Sequence, residues 1–229
     1  MNASVNSSGR SRLQSVVDQV VDEVLRLILA GELAPGMPVA IQDLSERLQV
    51  SSIPVREALR TLEGRGLITF QRGRRPRVSP VRVEDFEDIF HLRVVLEGGA
   101  AERGGLDAAH LPRLNDVLES FNRHLGHGDT LAIYTAHAEF HSLLLPAASP
   151  WERRFLDELW MASERYIQLY LGSVGTAQSV DSVYRLHVEL ADVAASGDAA
   201  AVRDAVVGHI NQSRELLESA VRAASNQAD

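Results

Sequence analysis

Residues 41–80, IQDLSERLQVSSIPVREALRTLEGRGLITFQRGRRPRVSP, limit what the chain can fold into more than any other stretch. Ile41, Leu44 and Leu48 are three and then four apart, so they share one face of a short helix. Gln49-Val50-Ser51 breaks that pattern. Ser51 suits the N-cap of a second helix, and Pro54 falls in its first turn, where a missing N–H costs little. Val55, Ala58, Leu59 and Leu62 make the apolar back of that helix, while Ser52, Arg56, Arg60 and Glu63 lie opposite. Leu67–Phe70 and Pro76–Ser79 then read as strands joined by Gln71-Arg72-Gly73-Arg74-Arg75, a hairpin with three arginines and one glycine at its tip. A short helix with an apolar back and a small cationic front suits insertion into a DNA major groove. The basic hairpin tip suits phosphates or a minor groove.

Against this stands a net charge of −8 over 229 residues. The distribution answers the objection. Residues 1–82 hold 12 Arg and 8 Asp or Glu, a net of +4, and the remainder holds 11 Arg and 23 Asp or Glu, a net of −12. Phosphates respond to nearby charge, because salt screens fields beyond about 10 Å. The chain has no Cys, hence no disulfide frame and no thiolate metal site, which fits a reducing compartment. The opening MNASVNSSGRSR lacks the apolar run of a leader, and no stretch reaches membrane-spanning length. The expectation is a cytoplasmic protein with no membrane partner and a disordered start over residues 1–12.

Length and a 45% hydrophobic content support two domains. Leu13 to Ala30 reads as a supporting helix with Val17, Val20, Val21, Val24 and Ile28 on one stripe, ended by Gly31. Residues 13–80 form the first domain, a winged helix-turn-helix, and 81–83 a linker. From Glu84 onward no strand-like alternation occurs. Breaks at Gly104-Gly105, Gly126–Asp129, Pro146–Pro150, Gly172–Gly175 and Gly197-Asp198 leave six helices, about 84–103, 107–125, 129–145, 151–171, 177–196 and 199–224. The fold class is therefore mainly α, with an all-α six-helix bundle over 84–229.

Eight histidines occur. His91, His110, His124 and His127 lie near helix ends or off any stripe and read as surface residues. The other four lie on apolar faces. His137 and His141 share a face with Ile133, Phe140 and Leu144; His187 falls among Val183, Leu186, Leu190 and Ala194; His209 falls among Val202, Ala205, Val206 and Leu216. Burying such rings unpaired costs on the order of 1–3 kcal/mol each. Ordinary core hydrogen bonds meet that need one ring at a time, and a cation meets it for all at once, since neutral imidazole binds Zn, Ni, Cu or Fe. Arg93 sits on the stripe Phe86, Ile89, Phe90, Leu96 and requires an anion. Either a carboxylate ligand or Glu97, one turn on, supplies it.

The run GELAPGMPVA…DLSERLQVSSIPVREALRTLEGRGLITFQRGR closely resembles the winged helix-turn-helix of the GntR family of bacterial transcription regulators, over roughly residues 13 to 80. LRVVLEGGAAE, HAEFH, LHVEL and the final helix with GHI resemble the FCD effector domain of the family's FadR-type branch, and six helices look more like its VanR-type subgroup. The resemblance implies a homodimer on a double-stranded operator, with Gln42, Ser51, Ser52, Ile53, Arg56, Arg72 and Gly73 toward DNA. Many relatives have Arg-Thr in place of Ser52-Ile53, which implies a different operator, with Ile53 against a thymine methyl. It also implies a metal held by a carboxylate and three His, at positions matching His141, His187 and His209. His137 occupies the place of the usual Asp. Losing that hard oxygen favours Zn or Ni over Mg, Ca or Mn. Arg93 would then hold a small organic acid effector.

Two other readings compete. In one, the cation itself is the signal. In the other, the His-rich centre is a metal-dependent enzyme, which needs a general base beside a metal-bound water. Glu139, between His137 and His141 in sequence, points off their shared face and does not fill that role.

Overall fold

The computed structural model describes residues 15–104, 108–173 and 176–226. The expected disordered start, 1–12, and the first two residues of the first expected helix, 13–14, lie outside the described residues. The amino-terminal unit comprises α1 (Val16–Leu29), α2 (Ile41–Leu48), α3 (Ser52–Gly64), β1 (Ile68–Thr69) and β2 (Arg77–Val78). A capping box starts α1, in which the Ser15 hydroxyl accepts from the Asp18 amide at 3.1 Å and the Asp18 carboxylate accepts from the Ser15 amide at 3.2 Å. The valine stripe packs on α3, as its spacing requires. Leu25, Leu27 and Leu29 are buried as well, because α1 also meets two helices of the second unit.

Gln49 takes a left-handed conformation, φ 55°, and turns the chain between α2 and α3. Ser51 occupies the N-cap position of α3, but its side chain makes no capping hydrogen bond, contrary to the sequence expectation. Part of the reason lies three residues on. An N-cap hydroxyl accepts from the amides two or three positions ahead, and the third position is Pro54, which has none, so only the Ile53 amide is left to it. The two strands pair antiparallel with Ile68 opposite Val78 and Thr69 opposite Arg77. Met37 to Val39 adds a third edge that the sequence did not announce. The Val39 amide donates to Pro76 O at 2.7 Å and the Val78 amide to Met37 O at 2.9 Å.

The second unit holds α4 (Val83–Glu102), a 3-10 turn (Ala108–His110), α5 (Leu111–His127), α6 (Thr130–Leu143), α7 (Pro150–Ser173), α8 (Thr176–Ala194) and α9 (Ala199–Ser225). These are the six helices expected. Asp129 and Asp198 cap α6 and α9 through backbone amides. The supposed linker 81–83 is largely structural, since Val81 is buried in the bundle core and Val83 already belongs to α4. Side chains from α6 and α7 complete the core of the first unit. Met161 is buried within it, with Leu131 and Tyr134 packed against it.

Helices α4 and α9 make the most extensive pairing in the bundle. Gly98 permits it, because a Cβ there would lie 2.9 Å from Val207 Cγ2. Valine is stiff at that torsion and cannot swing aside cheaply. Gly98→Leu should therefore lower the free energy of unfolding by about 1–3 kcal/mol in denaturant titrations. An unchanged midpoint and slope would show that the two helices can part without cost.

Candidate functional site

The polar face of α3 and the hairpin tip enclose one cleft of about 670 Å³, lined by Arg56, Arg60, Arg72, Gly73, Arg74 and Arg75 among others. The two arginines of α3 are in different states. Arg60 is engaged with protein, 2.6 Å from Glu63 and with its guanidinium 3.9 Å from the Phe70 ring centroid. That contact ties the base of the wing to the helix. Arg56 is exposed and has no ion-pair partner among the described residues. Ser51, Ser52 and Ile53 are exposed on the same end of α3, Ile53 at 66%. Gln42 is exposed on α2, where its amide donates to Glu46 at 3.1 Å. Arg72 is exposed, and Gly73, with φ 74°, forms the hairpin turn in open space. All seven residues expected to face DNA are solvent-facing, on α2, on α3 with its N-cap, and on the hairpin.

The second constellation is buried. His137 and His141 on α6, His187 on α8 and His209 on α9 are each no more than 4% exposed. One ring nitrogen from each of His137, His141 and His187 lies within 4.8 Å of the others. The His209 ring is next to them, with its centroid 4.6 Å from that of His187 and 5.1 Å from that of His141. The family resemblance placed His141, His187 and His209 at ligand positions. The geometry draws His137 into the tightest group and leaves His209 just outside it.

The outward nitrogens are all partnered. His137 Nδ1 donates to Glu164 at 3.2 Å, His141 Nδ1 to Glu97 at 3.1 Å, His187 Nδ1 to the Val183 carbonyl at 2.7 Å and His209 Nδ1 to the Leu186 carbonyl at 3.3 Å. These bonds set the tautomer and leave the Nε2 lone pairs to the interior. There, His137 Nε2 and His141 Nε2 face each other at 3.2 Å, and His187 Nε2 is buried with no hydrogen-bond partner. Two facing lone pairs and one orphan are what a cation would satisfy. The space among His137, His187, His209 and Arg93 is about 20 Å³, room for an ion or one water. The donor set fits a borderline-soft transition metal, and the carboxylates behind two of the rings fix their orientation.

Arg93 is engaged inside the protein. Its Nε donates to Glu97 Oε1 at 2.7 Å and its Nη1 to Ser163 at 3.3 Å. Of the two anions the sequence offered it, the internal one is seen. Glu97 also accepts from Trp160 Nε1 at 3.0 Å and from His141, so a single carboxylate joins arginine, tryptophan and imidazole. Glu164 was missed in the sequence. It lies on α7, far from α6 along the chain, and no local spacing links it to His137. Its only signal was a charge on an otherwise apolar face, shared with Trp160 and Ile167. Glu139 is half-buried and paired with Arg113, away from the centre as expected.

Burial holds the His141, His187 and His209 rings neutral. Desolvation, then the neighbouring His137, Arg93 and His209, keep His141 well below its usual 6.5. Desolvation followed by the other three histidines does the same for His187. His209 is lowered to about 3, chiefly by burial, with Arg93 and His137 adding to it and Glu97 opposing.

Two family profiles match the chain. Residues 16–78 match the bacterial regulatory proteins of the gntR family and residues 88–212 match the FCD domain. An uncharacterized HTH-type transcriptional regulator, BphR, of Paraburkholderia xenovorans is 30% identical over 219 residues, covering 90% of this chain and 87% of its own. A probable D-xylose utilization operon transcriptional repressor of Paenarthrobacter nicotinovorans is 25% identical over 205 residues, 89% of each chain. The solved structure of E. coli McbR/YncC shares the fold, with a TM-score of 0.74 at 21% identity over 90% of this chain and 98% of that one.

The neutral rings make stability depend on pH. In the unfolded chain they titrate near 6.5, and in the fold they titrate lower. Between those values the unfolded state binds more protons, so stability falls as pH drops below about 6.5. The melting temperature of chelator-treated protein should decline steadily from about pH 7 to pH 5. A flat profile over that interval contradicts burial of neutral imidazoles.

Proposed function

Because the chain belongs to the gntR family of bacterial regulatory proteins and carries an FCD domain, we propose that a small carboxylate received at a transition-metal centre controls its grip on an operator. The protein is a DNA-binding transcription regulator rather than an enzyme. The observation that carries the DNA reading is Arg56, without an ion-pair partner among the described residues, on the open face of α3 and flanked by the arginines of the wing. Arg56, Ser52 and Ile53 enter the major groove, Ser51 and Gln42 meet the backbone beside it, and Arg72 and Gly73 follow the adjacent phosphates. One winged head buries modest area, so a homodimer on two half-sites supplies the remaining affinity.

His137, His141 and His187 hold the metal, with His209 as the fourth donor, and Zn or Ni suits them best. When bound, the metal supplies an open coordination position for the carboxylate of an effector. Arg93 on the cavity wall supplies a second contact. A 20 Å³ space does not admit an organic acid, so the effector is received only as α8 and α9 move away from α4. Helices α6 and α7 both pack on α1, and they carry that movement toward the reading head. The same tight space favours a second reading, in which the cation alone is the signal.

Arg56→Ala should abolish footprinting on the operator, a loss of about tenfold or more in affinity, while the circular dichroism spectrum stays native. Retained footprints would remove α3 from the reading role. His141→Ala and His187→Ala should each lower the metal content of purified protein in elemental analysis, and full occupancy in both would end the metal proposal. Chelator separates the two readings of the centre. If metal removal alone changes operator affinity, the cation is the signal; if an added organic acid is also required, the carboxylate is.

A further inference from the structure

The junction between the two units lies away from the histidines. Between the reading head and the helical body is a cavity of about 410 Å³, within the roughly 300–1,000 Å³ range of small-molecule sites. Leu29, Leu67 and Val78 line it from the head, and Leu169, Ala220 and Ala224 from the body. One cation stands on its wall. Arg165 of α7 leans on the Tyr166 ring, 4.7 Å from its centroid, and Nη2 donates to the Tyr166 hydroxyl at 2.7 Å. Neither contact neutralises the guanidinium. Its Nε is buried with no hydrogen-bond partner, and no carboxylate lies within ion-pair distance among the described residues. A fork of donors beside an aliphatic hollow calls for one carboxylate on an apolar body.

We propose that this junction is a second ligand site, for an organic monocarboxylate whose apolar body fills the hollow while its carboxylate meets Arg165. One cation on a largely aliphatic wall favours a single carboxylate, because Arg165 is the one charged residue among those lining the hollow. The ligand touches α1 and the wing on one side and α7 and α9 on the other, so its presence fixes the head relative to the body. It also adjoins the histidine centre: Gln168 on the same wall donates to Glu164 at 2.8 Å, and Glu164 in turn accepts from His137. The site does not depend on the centre being a metal site.

The test is calorimetric titration of the full chain with hexanoate, octanoate and decanoate, with octanol and succinate as controls. At least one of the three acids binds saturably at one site per chain, and neither control does. Arg165→Gln weakens that acid about tenfold or more, Arg165→Lys weakens it less, and Ala224→Phe, which fills the hollow while keeping the charge, also abolishes binding. Chelator treatment leaves the affinity unchanged. Absence of saturable binding by all three acids overturns the proposal, as does equal affinity in wild type and a folded Arg165→Gln. Loss of binding on metal removal, with retention in Arg165→Gln, places the acid at the histidine centre instead and equally overturns it.

Discussion

Imidazoles cannot be sealed from water in numbers without a device that meets their polar atoms. Here four are sealed from water at once, and the bundle is arranged around that demand. Two carboxylates, Glu97 and Glu164, are fully buried to receive outward nitrogens, and two main-chain carbonyls receive the others. Glu97 is itself tolerable only because Arg93 and Trp160 donate to it. A buried charge left alone costs several kcal/mol, roughly 3–5 when one partner of a pair is removed. The network is therefore an all-or-none unit, and the inward Nε2 atoms are the part the protein itself does not satisfy.

Much of this could be read from the chain alone because it rests on local periodicity. The helix-turn-helix registers, the hairpin, the six-helix bundle and the inward direction of His137, His141, His187 and His209 each follow from spacings of three and four residues. What depends on distant partners could not be read. Glu164 meets His137 across 27 positions, and Met37–Val39 joins a sheet edge formed some forty residues later. Leu25, Leu27 and Leu29 lie off the valine stripe of α1, and their burial makes sense only once a second unit packs there. Arg93 offered two anions to sequence reasoning, and only the fold shows Glu97 within reach in the same rotamer that touches Ser163.

Helix α7 is the element on which both halves converge. Trp160, Ser163 and Glu164 face the polar network, Met161 is buried in the core of the reading head, and Arg165 and Gln168 face the junction cavity. Adjacent residues of one helix thus belong to three environments. A rotation of α7 by a fraction of a turn would disturb all three together, because packed cores have discrete arrangements rather than a continuum.

The proline at the third position of α3 has a further consequence. By removing one of the two amides that a hydroxyl at residue 51 could cap, Pro54 weakens that position's part in the fold, and the Ser51 side chain makes no capping bond. Ser52 and Ile53, both exposed, carry no packing obligation either. Substitution at these three exposed positions therefore leaves the scaffold intact, and what they meet outside the protein can change without cost to the fold.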